Sequence, residues 1–302
     1  MLRETKASGP RVTIVSTSLI LLAIAVKAHA QVKTPRIPRN PKAPVSQGTA
    51  GRTQLPVASG SLTLPAWLDD TETLDPGTTT FDLSVGRWSS VDGGETDGPV
   101  LDFAVGLTPR LQVGGTLPYY RASYNDGFSA HGLGDAYFSV KAQLLDPGDN
   151  VIGLSVQPLL EVLSESSVSD TTLGLSRVNW GIPVTVQVGS AETRTRAYAT
   201  AGYFSRDAVF VGGTVEHEVS SVVTVLGMVN YSYATETSAT SDLLGLSRSR
   251  TDASAMVYVS VAPTVTVYGG LGRTISKLDQ NGARLIASVG IHIEVGHSRL
   301  QP

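Results

Sequence analysis

The sequence predicts an all-β fold, a closed antiparallel transmembrane β-barrel of about twelve strands with up-and-down topology. Three observations carry this. Apolar and polar residues alternate with period 2 along most of residues 78–295, the spacing of strands with two chemically different faces. The connections between alternating runs are long and polar, then tight, in turn, as in barrels with short turns on one side of a membrane and longer loops on the other. Aromatic residues gather where the runs meet the long connections.

The front of the chain is expected to lie outside the barrel. Residues 1–30 read as a secretory signal peptide. Arg3, Lys6 and Arg11 precede the apolar run Val12–Val26, and Ala28-His29-Ala30 gives a small-x-small cleavage pattern. That run is shorter than the roughly 20 residues a membrane-spanning helix needs. Residues 31–60 form a linker with Pro35, Pro38, Pro41, Pro44 and Pro56, five basic residues and no acidic one, a composition that favours an extended spacer. Residues 61–77, with Trp67, lead into a barrel over 78–295, and 296–302 form a short tail.

Composition narrows the partners. Nine of the 23 basic residues but only one of the 26 acidic ones fall in residues 1–60, so the remainder carries a charge of about −11. Such a body is a poor match for nucleic acid. Cysteine is absent, which excludes disulfides and thiolate metal sites.

Twelve strands are expected near 78–88, 99–108, 110–120, 135–145, 151–163, 176–188, 194–204, 208–218, 222–233, 253–262, 264–272 and 284–294. The clearest is Ala136–Leu145, where Ala136, Phe138, Val140, Ala142 and Leu144 oppose Tyr137, Ser139, Lys141 and Gln143. The long connections are Ser89–Gly98, Arg121–Gly134, Ser164–Leu175, Ala234–Asp252 and Arg273–Ala283, and the tight ones include Thr108-Pro109, Asp146–Asn150 and Ala262-Pro263. Trp88, Tyr119, Tyr120, Phe138, Trp180, Tyr203, Tyr231 and Tyr233 fall near the long-loop ends and are assigned to an aromatic girdle at the headgroup level. In lipid every backbone N–H and C=O needs an internal partner, so a spanning sheet must close on itself. Gly106, Gly114, Gly153, Gly181 and Gly290 on the inward faces are expected to leave room inside.

The order of segments resembles the meta-pathway-of-phenol-degradation transporter family of bacterial outer-membrane proteins. The matching residues are Asp69-Asp70-Thr71-Glu72-Thr73-Leu74 before the first strand, then Leu107–Gly114, Gly132-Leu133-Gly134-Asp135 with Lys141, and Ala262–Gly270. The resemblance implies an outer-membrane barrel passing small compounds, aromatic ones included. It departs at the end of the chain, where Gly296–Pro302 follows the last strand in place of a closing aromatic residue.

No catalytic constellation emerges. Barrels that act on lipids place a serine two residues beyond a histidine, so that imidazole activates the hydroxyl. Here Gln31, Leu133, Val219, Glu294 and Arg299 stand two beyond the five histidines. His292 and Glu294 share a face, the spacing of an acid–base pair or of a simple lumen contact. Asp146–Asn150 lacks the spacing of a calcium loop. The inward residues assigned to the lumen are Asp102, Asp135, Tyr137, Lys141, Gln157, Glu161, Arg177, Asn179, Gln187, His292 and Glu294, a mixed-charge wall of the kind that discriminates among solutes.

The expectation is a bacterial outer-membrane channel, non-enzymatic and without cofactor or metal. Both termini would be periplasmic, with small solutes and membrane lipid as partners and passage by diffusion. An occluded barrel acting through its external loops is the alternative, and a membrane-embedded hydrolase the lesser one.

Overall fold

The computed structural model describes residues 69–296, apart from 92, 126, 128, 149, 151, 164–177, 190–192, 206, 237–246 and 280–281. The expected signal peptide, the linker, Trp67, Arg177 and the tail beyond Gly296 lie outside the described residues. Among the described residues there are fourteen strand segments: β1 (Thr79–Ser89), β2 (Gly93–Thr108), β3 (Leu111–Tyr124), β4 (Ser129–Leu133), β5 (Ala136–Leu145), β6 (Ile152–Val156), β7 (Leu159–Val162), β8 (Val178–Val188), β9 (Thr195–Phe204), β10 (Ala208–Ser220), β11 (Val223–Ala234), β12 (Ser249–Ala262), β13 (Val265–Thr274) and β14 (Leu285–Val295). There is no helix among the described residues.

These segments build twelve barrel strands. β4 and β5 both pair with β3, and β6 and β7 both lie between β5 and β8, so each couple is one strand with a break. The second break falls at Gln157-Pro158, where proline has no N–H for the ladder. It is bridged by Val140 N–H donating to the Pro158 carbonyl and Gln157 N–H to the Pro183 carbonyl, both at 3.0 Å. Closure is made by β1 against β14, antiparallel from Thr79↔Val295 to Ser89↔Leu285. The result is an all-β, closed, antiparallel twelve-stranded barrel.

Its faces are the reverse of a soluble barrel's. Along β1, Thr80, Asp82, Ser84 and Trp88 are buried while Phe81, Leu83 and Val85 are exposed. Along β8, Asn179, Thr185 and Gln187 are buried while Trp180, Ile182, Val184 and Val186 are exposed. Exposed Val, Leu, Ile or Phe residues recur from β1 round to β14, an apolar surface far beyond the few hundred Å² that soluble monomers show.

Two expected loops are strand instead. β1 and β2 run on to a short hairpin, with Ser89 opposite Gly94, and β3 and β4 pair from Tyr119↔Leu133 to Ser123↔Ser129. Gly98-Pro99, at the expected boundary between connection and strand, lies within β2, which passes it through a register shift between Asp97 and Val100, the usual way a sheet absorbs proline. In the second hairpin the outward residues Arg121, Ser123, Ser129 and His131 are polar and exposed, so the apolar alternation that marks the other strands vanishes there. Gly127, at φ 87°, supplies the left-handed residue of its turn.

The interior is not empty. Tyr137, Leu159, Phe204, Phe210, Leu226, Met228, Met256, Tyr258 and Tyr268 form one buried cluster on the inner wall. The glycines expected to leave room instead seat other groups. A Cβ on Gly181 would meet the Phe204 ring at 2.6 Å, one on Gly290 would meet Tyr268 at 2.5 Å, and those on Gly106 and Gly153 would collide with Asp75 and Thr71.

Candidate functional site

Asp69–Thr78 has no apolar alternation and carries four acids and two threonines among its first seven residues, a segment that needs polar partners wherever it is buried. It finds them inside the barrel, at the end where the tight turns lie. Lys141 on β5 holds Asp69 at 2.7 Å and Asp70 at 3.0 Å. Arg196 on β9 holds Asp70 at 2.8 Å, Glu72 at 3.4 Å and Glu216 of β10 at 2.9 Å. The Gln187 carbonyl accepts from Thr71 N–H at 2.8 Å, and its amide donates to Glu72 at 3.1 Å. Gln112 accepts from Leu74 N–H at 2.9 Å, and the Thr73 hydroxyl donates to the Pro109 carbonyl at 2.8 Å. Pro76-Gly77, with Gly77 at φ 82°, then turns the chain into β1, with Gly77 N–H donating to the Gly106 carbonyl at 2.8 Å.

This strap crosses the inner wall from β9 to β2. Asp70, Thr71, Thr73 and Leu74 are all buried. Burial pushes the Asp69 carboxyl above its ordinary range, against the pull of Lys141. Two cations thus face four carboxylates, Asp69, Asp70, Glu72 and Glu216, in a space with little water.

A second feature is a row of inward residues at directly paired positions. It runs Thr266↔His292, His292↔Asp82, Asp82↔Asp102, Asp102↔Thr116, Thr116↔Tyr137, Tyr137↔Glu161 and Glu161↔Asn179 across β13, β14, β1, β2, β3, β5, β7 and β8. His292 Nδ1 lies 3.0 Å from Asp82 Oδ2. Thr116 donates its hydroxyl to Asp102. Glu161 accepts from the Tyr137 hydroxyl at 2.6 Å and from the Asn179 amide at 3.1 Å. Among the described residues, Asp82 Oδ1, Asp102 Oδ2, Ser84 Oγ and His292 Nε2 are buried and have no hydrogen-bond partner.

The expected lumen residues fall as follows. Asp102, Asp135, Tyr137, Lys141, Gln157, Glu161, Asn179, Gln187 and His292 are buried inside, and Glu294 is half-buried near the tight-turn end. His292 pairs with Asp82 and not with Glu294. Lys141 and Gln187 hold the strap and do not offer their polar ends to the lumen. Of the expected girdle, Tyr119, Phe138, Trp180 and Tyr231 are exposed on the outer face. Tyr203 and Tyr233 are half-buried there, and the Trp180 and Tyr203 rings pack 5.7 Å apart. Trp88 and Tyr120 are corrected. At 2% and 3% exposure they point inside, Trp88 against Ala283 and Ile286. The face of each aromatic follows strand parity, and a shift of one residue reverses it.

Sequence reasoning missed Arg196, Asp82 and the binding role of Asp70 and Glu72. Arg196 had a signal: it shares the inward parity of Tyr198 and Thr200 in β9, where an arginine demands an anionic partner.

No family model matches the chain, and no curated protein matches it. Among solved structures, an outer-membrane channel from Pseudomonas putida F1 superposes with a TM-score of 0.53 at 13% identity, covering 75% of this chain and 98% of that one. The NanC porin superposes with a TM-score of 0.51 at 12% identity, covering 71% and 100%. At these identities the likeness is one of fold.

Proposed function

We propose that the protein is a bacterial outer-membrane channel for small solutes, non-enzymatic, with both termini on the periplasmic side. The carrying observation is the inverted barrel, apolar outside on strands all round the sheet and charged within. Only a lipid phase stabilises such an outer surface, and closure satisfies the backbone in it. The exposed ring of Tyr119, Phe138, Trp180 and Tyr231 near the long-loop ends suits a headgroup layer. The fold likeness to the Pseudomonas putida channel and the NanC porin agrees with this reading. So does the resemblance to the phenol meta-pathway transporters, and aromatic compounds are a solute class that the buried tyrosine and methionine cluster would suit.

One observation favours a second reading. The strap closes part of the tight-turn mouth, and a barrel with that mouth blocked would act through its outer loops. Solute flux into liposomes carrying the refolded chain decides between them. A channel admits a small neutral sugar well above empty liposomes. An occluded barrel, shown to be inserted by its resistance to protease, admits nothing.

A further inference from the structure

The part of the inner wall away from the strap carries two acids whose pairing is incomplete among the described residues. Asp82 and Asp102 are directly paired across β1 and β2, both buried, each with one carboxylate oxygen lacking a partner among the described residues. Two carboxylates so placed repel one another unless one holds a proton or a cation lies before them. His292 Nδ1 meets Asp82 Oδ2 at 3.0 Å, and its own Nε2 has no partner among the described residues. The wall's cations elsewhere are engaged: Lys141 and Arg196 by the strap, and Arg250 by Asp252 at 2.9 Å.

Immediately beside the carboxylates lies a different surface. The adjacent inward row reads Tyr258↔Tyr268, Tyr268↔Gly290, Gly290↔Ser84. It is one inward step from His292 and Asp82, about 7 Å along the strands. The Tyr258 and Tyr268 rings pack 5.4 Å apart. A Cβ on Gly290 would lie 2.5 Å from the Tyr268 oxygen and 2.8 Å from Ser84 Cβ, so Tyr268 lies over β14 with its phenol end toward Ser84. Ser84 Oγ is itself buried and unpartnered, and it belongs to the same face as Asp82.

Paired carboxylates next to packed, tilted tyrosine rings are the chemistry of an organic cation site. The carboxylates take the ammonium, and the electron-rich ring faces take the cation and the apolar body attached to it. We infer that Asp82, Asp102, Ser84, Tyr258 and Tyr268 form an internal site for a small organic cation, an aromatic or alkyl amine. This rests on the channel reading for its biological use, but not for its existence. It also reverses the preference for aromatic acids that a wall led by Lys141 would give.

The test is equilibrium binding to the full chain refolded in detergent, with calorimetry of phenethylamine against phenylacetate, which share a ring and differ in charge. Phenethylamine is expected to bind about tenfold or more tightly than phenylacetate at low salt. D82N with D102N is expected to erase the difference, and Tyr268→Leu to weaken amine binding several-fold while leaving phenylacetate unchanged. Equal or tighter binding of phenylacetate to the unaltered chain overturns the site, whatever the variants do. An amine affinity indifferent to Tyr268→Leu overturns its aromatic half. Liposome flux is read separately: amine binding without flux keeps the site and rejects the channel, and flux without amine preference keeps the channel and rejects the site.

Discussion

Two arcs of the same inner wall handle buried charge in opposite ways. From β3 to β10 the wall supplies Lys141, Arg196, Gln112 and Gln187, and the strap supplies Asp69, Asp70 and Glu72, so that charges meet at 2.7–3.4 Å. Around β14, β1 and β2 the wall supplies Asp82 and Asp102, met in part by His292 and Thr116, with one oxygen of each acid lacking a partner among the described residues. Ion pairs that fill one another's hydrogen-bonding capacity lock a segment in place. A charge left open in a closed space has a cost that a bound ligand relieves. The first arc is built to hold, the second to receive.

The largest break of this contrast is expected from Arg196→Met. It strands Asp70, Glu72 and Glu216 together, so stability should fall by roughly 3–5 kcal/mol, as for one-sided removal from a buried charge pair. Urea unfolding in micelles measures it, and a loss under about 1 kcal/mol would show the strap to be a passive passenger. Next comes deletion of residues 69–76. If the strap narrows the mouth, single-channel conductance should rise about twofold or more; unchanged conductance would place the constriction elsewhere.

Lys141→Met sharpens the comparison by a double-mutant cycle with Asp70→Asn. Coupling of about 1–3 kcal/mol is expected, against less than about 0.5 for Lys141→Met with Asp102→Asn, which belongs to the other arc. Glycines give a smaller and more local test. Gly153→Ala places a methyl in the space of the Thr71 hydroxyl and should cost about 1–3 kcal/mol. Gly227→Ala, with nothing within 4 Å of its Cβ, should stay within about 0.5 kcal/mol. Equal effects at the two positions would mean that the strap does not sit on β6.

Much of the barrel was legible because alternation depends only on which phase each face meets. Strands such as Val178–Val188 must show it wherever one side is apolar and the other polar. The hairpin of β3 and β4 was illegible for the same reason. Past the apolar level both faces meet polar surroundings, and Arg121, Ser123 and His131 carry no periodic signal. Asp102, Glu161 and Gln187 could be placed inside from parity alone. Their partners could not, because Tyr137–Glu161 and Asp82–His292 pair across strands, the second over 210 positions of sequence.

The sequence by itself determined the all-β class, the alternating faces and the side of most charged residues. Those are properties of short windows, set by period 2 and by turn chemistry. Tertiary structure decided that Asp69–Leu74 lies inside, that Lys141 and Arg196 are occupied by it, that Trp88 and Tyr120 face inward, and that Asp82 and Asp102 are paired across β1 and β2. Each of these depends on strand register and closure, β1 meeting β14, and a register is fixed only when all twelve strands are packed together.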